Sequence, residues 1–129
     1  MSGLTFRDYV DRGTNVIHEW LHSCPVKVRQ KINVRIIYLS TGVQPLGMPN
    51  ARLLHGSECE GLLELRIEFN HVQYRPIGYC GPSAQTVTLL LGAIEKNNRL
   101  PNGTCTRGRN RMANVESDPE RYTCEHNFD

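Results

Sequence analysis

In the stretch 61–69, residues 63–69 alternate strictly. Leu63, Leu65, Ile67 and Phe69 are apolar, and the intervening Glu64, Arg66 and Glu68 are charged. A period of two puts one set on the buried face of a strand and the other on its charged face. Asn70-His71 predicts a tight turn, and residues 72–79 return as a second strand. Beyond Gly81-Pro82-Ser83, residues 86–94 form a third strand, whose unbroken apolar run predicts burial on both faces. Three consecutive strands with short connections make an antiparallel meander. Arg66 and Arg75 fall on neighbouring strands and make a small cationic surface if they share a face. Function is expected there.

The N-terminal third reads differently. A short strand over residues 4–10 ends at the turn Asp11-Arg12-Gly13, and Thr14 or Asn15 caps a helix that runs to about Ser23. Pro25 suits the first turn of a second helix, which continues to about Ser40. In it Val28, Ile32, Ile36 and Leu39 recur at helical spacing. Lys27, Arg29, Lys31 and Arg35 lie on another side, where a solvated helix face is the ordinary reading and an RNA-binding strip the sharper one. Residues 41–60 are a connection rich in Gly and Pro (Gly42, Pro45, Gly47, Pro49, Gly56), with Leu53-Leu54 expected to anchor it in the core. The expected fold class is α+β, an N-terminal helical hairpin packed on an antiparallel sheet of about four strands.

At 129 residues the chain is read as one domain over residues 1–129, with 112–129 a C-terminal tail of undefined structure. Within that tail, Ser117 or Asp118 followed by Pro119 predicts the start of a short helix. The formal charge of +2 excludes a chain coated in basic residues, so any nucleic-acid site must be a local cluster. No run of residues is apolar and long enough to span a membrane, and Met1-Ser2-Gly3-Leu4, with no basic segment followed by an apolar run, is not expected to start a signal peptide. Five cysteines (Cys24, Cys59, Cys80, Cys105, Cys124) at irregular spacing suggest free thiols in a reducing, cytoplasmic setting.

Three kinds of chemistry compete for the remaining residues. Cys124 and His126 are close in sequence, but no Cys-x2-Cys pair supports a closed zinc site, and His18 and His22 lack a third ligand. No metal or other cofactor is expected. A Cys–His hydrolase has the residue types without a nucleophile motif, and no Walker loop or dinucleotide fingerprint occurs. The third is a phosphate site. Arg66 and Arg75, with Lys96 and Arg99 just after the third strand, gather cations at one sheet edge, although pairing with Glu64 or Glu68 is an equal alternative for the arginines. Arg107, Arg109 and Arg111 align on one side only if extended, since a helix splays them.

In these residues the chain resembles the RelE/HigB-type toxins of bacterial toxin–antitoxin pairs and their phage-derived relatives. The resemblance rests on Gly61-Leu62-Leu63-Glu64-Leu65-Arg66, on Tyr74-Arg75, and on the apolar strand followed by Lys96 and Pro101. It implies an endoribonuclease that inhibits translation by cleaving mRNA at the ribosome, through metal-independent attack of the 2′-hydroxyl on the adjacent phosphate. It further implies catalytic roles for Arg75, Arg66 and Lys96. His126 and Tyr122 are acid–base candidates by residue type, and Arg99, Arg109 and Arg111 extend an RNA-binding groove. The implied partners are a cognate antitoxin, mRNA and the ribosome, in a homodimer or a toxin–antitoxin hetero-oligomer, with no membrane. Departures from the family pattern are Glu95 where a second lysine is common, and Pro76 directly after Arg75. They keep open the alternative of a noncatalytic module that binds protein or RNA.

Overall fold

The computed structural model describes residues 3–42 and 46–129. Met1, Ser2 and Pro45, which the sequence reading uses, lie outside the described residues.

Strands β1 (Thr5–Asp11) and β2 (Thr14–Asn15) open the chain, followed by helices α1 (Val16–Ser23) and α2 (Val26–Ser40). The Asn15 side chain accepts the His18 amide and so starts α1, while α2 begins directly after Pro25. Then come β3 (Ala51–Leu53), a 3₁₀ turn (Ser57–Cys59), β4 (Leu63–Leu65), β5 (Ile67–Phe69), β6 (Val72–Cys80) and β7 (Thr86–Ile94). The chain closes with α3 (Thr104–Ser117), α4 (Pro119–Tyr122) and β8 (Thr123–Glu125).

The expected four-stranded antiparallel sheet under an N-terminal helical hairpin is corrected. Among the described residues the sheet has eight strands in the order β2-β1-β7-β6-β4-β3, with β5 also on β6 and β8 on β1. It is mixed, because β1 runs parallel to β7. Helices stand between strands and after them, and α1 has only 8 residues. Periodicity detects strands long enough to show a pattern. Here β2, β3 and β8 have two or three residues each and are defined by backbone pairing.

The 61–69 stretch is also not one strand. It breaks at Arg66, whose amide donates to the Asn50 carbonyl while its own carbonyl accepts from Arg35 Nη1 at 2.8 Å. Asn70 and His71 both have positive φ, the conformation a two-residue hairpin turn needs, so Phe69 pairs with Val72. Pro76 stays in register with Gly92, and the ladder shifts one step later, between Ile77 and Gly78.

Both faces of the sheet are covered. On one, Val28, Ile32, Ile36 and Leu39 of α2 and Ile17 and Leu21 of α1 bury against Leu63, Leu65, Ile67, Val87 and Leu89. Trp20 lies so close over Gly92 that a Cβ there would overlap its indole. On the other, Leu62, Ile77, Tyr79, Leu91 and Ala93 pack with Val115 of α3. This second layer explains why residues placed on a solvated face from alternation alone are buried, Glu64 among them. Leu53 is exposed, against expectation, and Ala51 and the partly buried Leu54 supply the inward contacts of that connection.

The residues after 111 are built into the fold. Val115 is buried, Asp118 caps α4, and β8 lies antiparallel to β1 with Asp8 opposite Cys124. Cys59 and Cys105 form a disulfide that ties the 3₁₀ turn to the first turn of α3, which corrects the expectation of five free thiols. Cys24, Cys80 and Cys124 are free. No helix among the described residues is long and apolar enough to cross a membrane.

Candidate functional site

Register dictates what gathers on the α3 side of the sheet. Arg52 stands opposite Glu64, Glu64 opposite Ile77, and Arg75 opposite Ala93, two residues before Glu95. Five charged side chains, from β3, β4 and β6, from the break at Arg66 and from the residue after β7, therefore converge. Arg66 Nη1 donates to Glu64 Oε2 at 2.6 Å, and Arg52 Nε lies 3.3 Å from the same oxygen. Arg75 Nε lies 3.7 Å from Glu64 Oε1 and donates to Glu95 Oε2 at 2.9 Å. Its Nη2 donates to the Gln73 side chain, and its Nη1 faces the carbonyls of Ile67 and Tyr74.

Arg66 and Arg75 thus share a site, but the site is centred on a carboxylate. Glu64 is 0% exposed, and Arg75 is 2% exposed with every guanidinium nitrogen engaged. Arg75 is therefore no open phosphate grip. Arg66 and Arg52 differ, with side chains 26% and 48% exposed, and both can swing to an incoming anion. One oxygen stands out: Glu64 Oε1 is buried without a hydrogen-bond partner among the described residues. Its contact is the ion pair with Arg75 Nε at 3.7 Å, too long for a hydrogen bond. Spacing alone leaves a surface ion pair with Glu64 or Glu68 as an equal alternative for the arginines; the register of β3 and β6 and the burial of Glu64 give the carboxylate this position.

A groove of about 600 Å³ adjoins the cluster at Arg52. Its walls include Arg52, His55, Arg99 and the start of α3 at Gly103 and Thr104. Gly103 takes a positive φ and offers no side-chain cap, so the positive end of a 14-residue helix borders the groove. Lys96 and Arg99 pair across the turn at Asn97-Asn98, and Lys96 lines a neighbouring depression with Trp20 and Arg107. His55 had no sequence signal, since it sits in a breaker-rich connection without periodicity.

Other residues singled out in the sequence go elsewhere. Arg107, Arg109 and Arg111 are splayed by α3. Arg111 donates to the Leu90 carbonyl and stacks its guanidinium over Tyr9, and burial holds it below the usual arginine range. Arg109 donates to the Ser57 carbonyl at 3.1 Å. His126 directly follows β8 and packs beside β1, which is two strands from β6, and it is buried. Its Nδ1 donates to Asp8 Oδ1 at 2.7 Å, and its Nε2 lies 2.8 Å from Asn33 Oδ1. That geometry also disposes of a Cys124–His126 pairing, because both ring nitrogens are occupied. Tyr122 stacks on Tyr9 with ring centroids 5.9 Å apart.

Tyr79 gives the α3 side a pH signature. Its hydroxyl donates to Glu116 Oε2 at 2.6 Å, and burial, reinforced by that carboxylate, raises it far above the ordinary tyrosine value near 10. An acid raised in the folded state stabilises fully below its unfolded value and loses that contribution as pH climbs beyond it. Tyr79→Phe is expected to cost about 1.5–3 kcal/mol at neutral pH. The gap between wild type and variant should shrink above pH 10, as read from urea midpoints across pH. A pH-independent gap would refute the assignment.

No curated protein matches the chain. A family model does, over residues 19–113, nearly three quarters of the sequence and a span holding every member of the Glu64 cluster and its groove. On that match, the chain belongs to the family described as Phage derived protein Gp49-like (DUF891).

Proposed function

We propose that this protein is the toxin of a toxin–antitoxin pair and acts as a metal-independent endoribonuclease on mRNA. The reading is carried by one observation: a buried glutamate ringed by Arg52, Arg66 and Arg75, one oxygen of which is ion-paired but not hydrogen-bonded among the described residues, beside a groove bearing Arg99 and His55. Membership in a toxin-like family supports the same direction and suggests an antitoxin as partner.

RNA carries its own nucleophile, so cleavage needs a base, an acid and cations more than it needs a metal. When Arg52 turns from Glu64 to the scissile phosphate, the Glu64 carboxylate is opened to the adjacent 2′-hydroxyl and takes its proton. The O2′–P bond forms, the P–O5′ bond breaks, and a 2′,3′-cyclic phosphate and a 5′-hydroxyl end result. His55, on the groove wall, is the residue type to protonate the departing 5′ oxygen. Arg52, Arg99 and the start of α3 oppose the charge that grows on phosphate, and Arg66 and Arg75 hold Glu64 in place. Lys96 extends the cationic rim.

One feature favours a second reading. Glu95 already occupies Arg75, and together Glu64 and Glu95 neutralise much of the arginine cluster, as a noncatalytic module that retains the fold for binding would allow.

The test is mRNA cleavage in a purified translation system and on free RNA, mapped by primer extension. Wild-type protein is expected to give discrete cuts, and Glu64→Gln to lower the rate by about 10²–10⁴-fold while its circular dichroism is unchanged. Intact mRNA with wild-type protein sinks the nuclease and leaves the binding module. Equal cleavage by Glu64→Gln sinks the assignment of the base.

A further inference from the structure

The outer face of α2 is unlike the rest of the surface. Val26, Val34, Ile37 and Tyr38 are each about half exposed, at 55%, 50%, 49% and 55%. At 100° per residue they fall within a single arc opposite the buried row of Val28, Ile32, Ile36 and Leu39. The helix also carries Lys27, Arg29, Lys31 and Arg35 and no Asp or Glu. Between it and β5 runs a groove of about 560 Å³ lined by Lys27, Lys31, Val34, Tyr38, Ile67 and Glu68, the last its single carboxylate among the described residues. Arg35 braces the groove through the carbonyls of Asn50 and Arg66.

An exposed apolar row of this kind marks a docking surface, and its charge selects the occupant. A second copy of this chain would bring Lys27 and Lys31 against their own counterparts. A nucleic-acid backbone would use the lysines but leave Val34, Ile37 and Tyr38 in water. An amphipathic helix with an apolar row flanked by carboxylates satisfies both features at once. We propose that the groove between α2 and β5 docks an acidic amphipathic helix of a partner protein. The α2 helix covers the sheet face opposite Glu64, and Arg66, which pairs with Glu64, also lines this groove.

The experiment uses the full chain labelled with ¹⁵N and three probes. They are a designed helical peptide with a leucine row flanked by glutamates, its counterpart with lysines for glutamates, and a short single-stranded RNA. The acidic peptide is expected to shift amides of residues 27–38 and 67–68, and the lysine peptide to leave them unmoved. Lys27→Glu combined with Lys31→Glu should weaken binding roughly tenfold or more, as should Tyr38→Ala. All three positions are exposed, so the variants keep the fold. No shift with the acidic peptide at millimolar concentration, or shifts outside these residues, overturns the proposal. So does RNA moving this set in the peptide's place, or a chain dimer that Tyr38→Glu dissolves.

Discussion

Replacing Arg75 by alanine is expected to lower stability by about 3–5 kcal/mol, because it strands a buried carboxylate rather than trimming a surface cation. Glu64 would keep Arg66 and Arg52, but Glu95 would lose the guanidinium that holds it, and the carbonyls of Ile67 and Tyr74 would lose a donor. Glu64→Ala should cost a comparable amount for the mirrored reason. The double variant should cost less than the two single losses combined, since each removes the other's partner. Urea denaturation of the four proteins measures this. A loss below about 1 kcal/mol for Arg75→Ala would mean that the guanidinium is solvated and free for substrate. This bears directly on function: loss of cleavage in Arg75→Ala or in Glu64→Gln reports on catalysis only after folding has been checked, since each removes one charge of a buried pair.

The second large effect lies at the opposite end of the sheet. His126→Ala is expected to cost about 3–5 kcal/mol and to loosen β8 from β1. Asp8 is 0% exposed and, among the described residues, its carboxylate would retain the Asn15 side chain and the Asn127 amide. Asn33 donates its amide to the Phe128 carbonyl and turns its oxygen to His126, so both ring nitrogens of the wild-type imidazole face oxygens. The ring thereby ties β1, α2 and the C-terminus in one knot. Hydrogen exchange at the amides of residues 7–9 and 123–126 should accelerate in the variant well beyond the rest of the sheet. Uniform acceleration across all strands would show that the pair stabilises the whole molecule and not this corner. Undiminished stability would refute the knot. In either case the effect belongs to folding, since His126 is buried two strands from the Glu64 cluster.

The disulfide and the groove are neighbours in space. Cys59 and Cys105 both line the groove that Arg52, His55 and Arg99 share, so the bond fixes one wall of it against the first turn of α3. Nothing in the spacing of five cysteines announces this pair. Its sequence separation is 46, and it depends on α3 folding back over the 3₁₀ turn.

The sequence by itself determined the elements with a pattern to show. The third strand at residues 86–94 and the second helix at 26–40 fall where predicted, the helix because Val28, Ile32, Ile36 and Leu39 repeat at its period. The turn at Asn70-His71 and the cap at Asn15 were legible because those side chains suit those backbone conformations. Local chemistry also marked Arg66 and Arg75 as worth attention.

Only the tertiary structure decided what these elements do together. Parallel pairing of β1 with β7, and the two- and three-residue strands at β2, β3 and β8, arise from contacts between residues up to more than a hundred positions apart. No local propensity encodes them. The same holds for the site: alternation shows that Glu64 leaves the apolar face of its strand, but not whether water or a helix lies on the other side. Once α3 covers that side, the carboxylate can stay charged only among cations, and Arg52, Arg66 and Arg75 are drawn to it. Alternation sets the face on which a charge lies, and packing sets whether it is solvated, paired or poised to react.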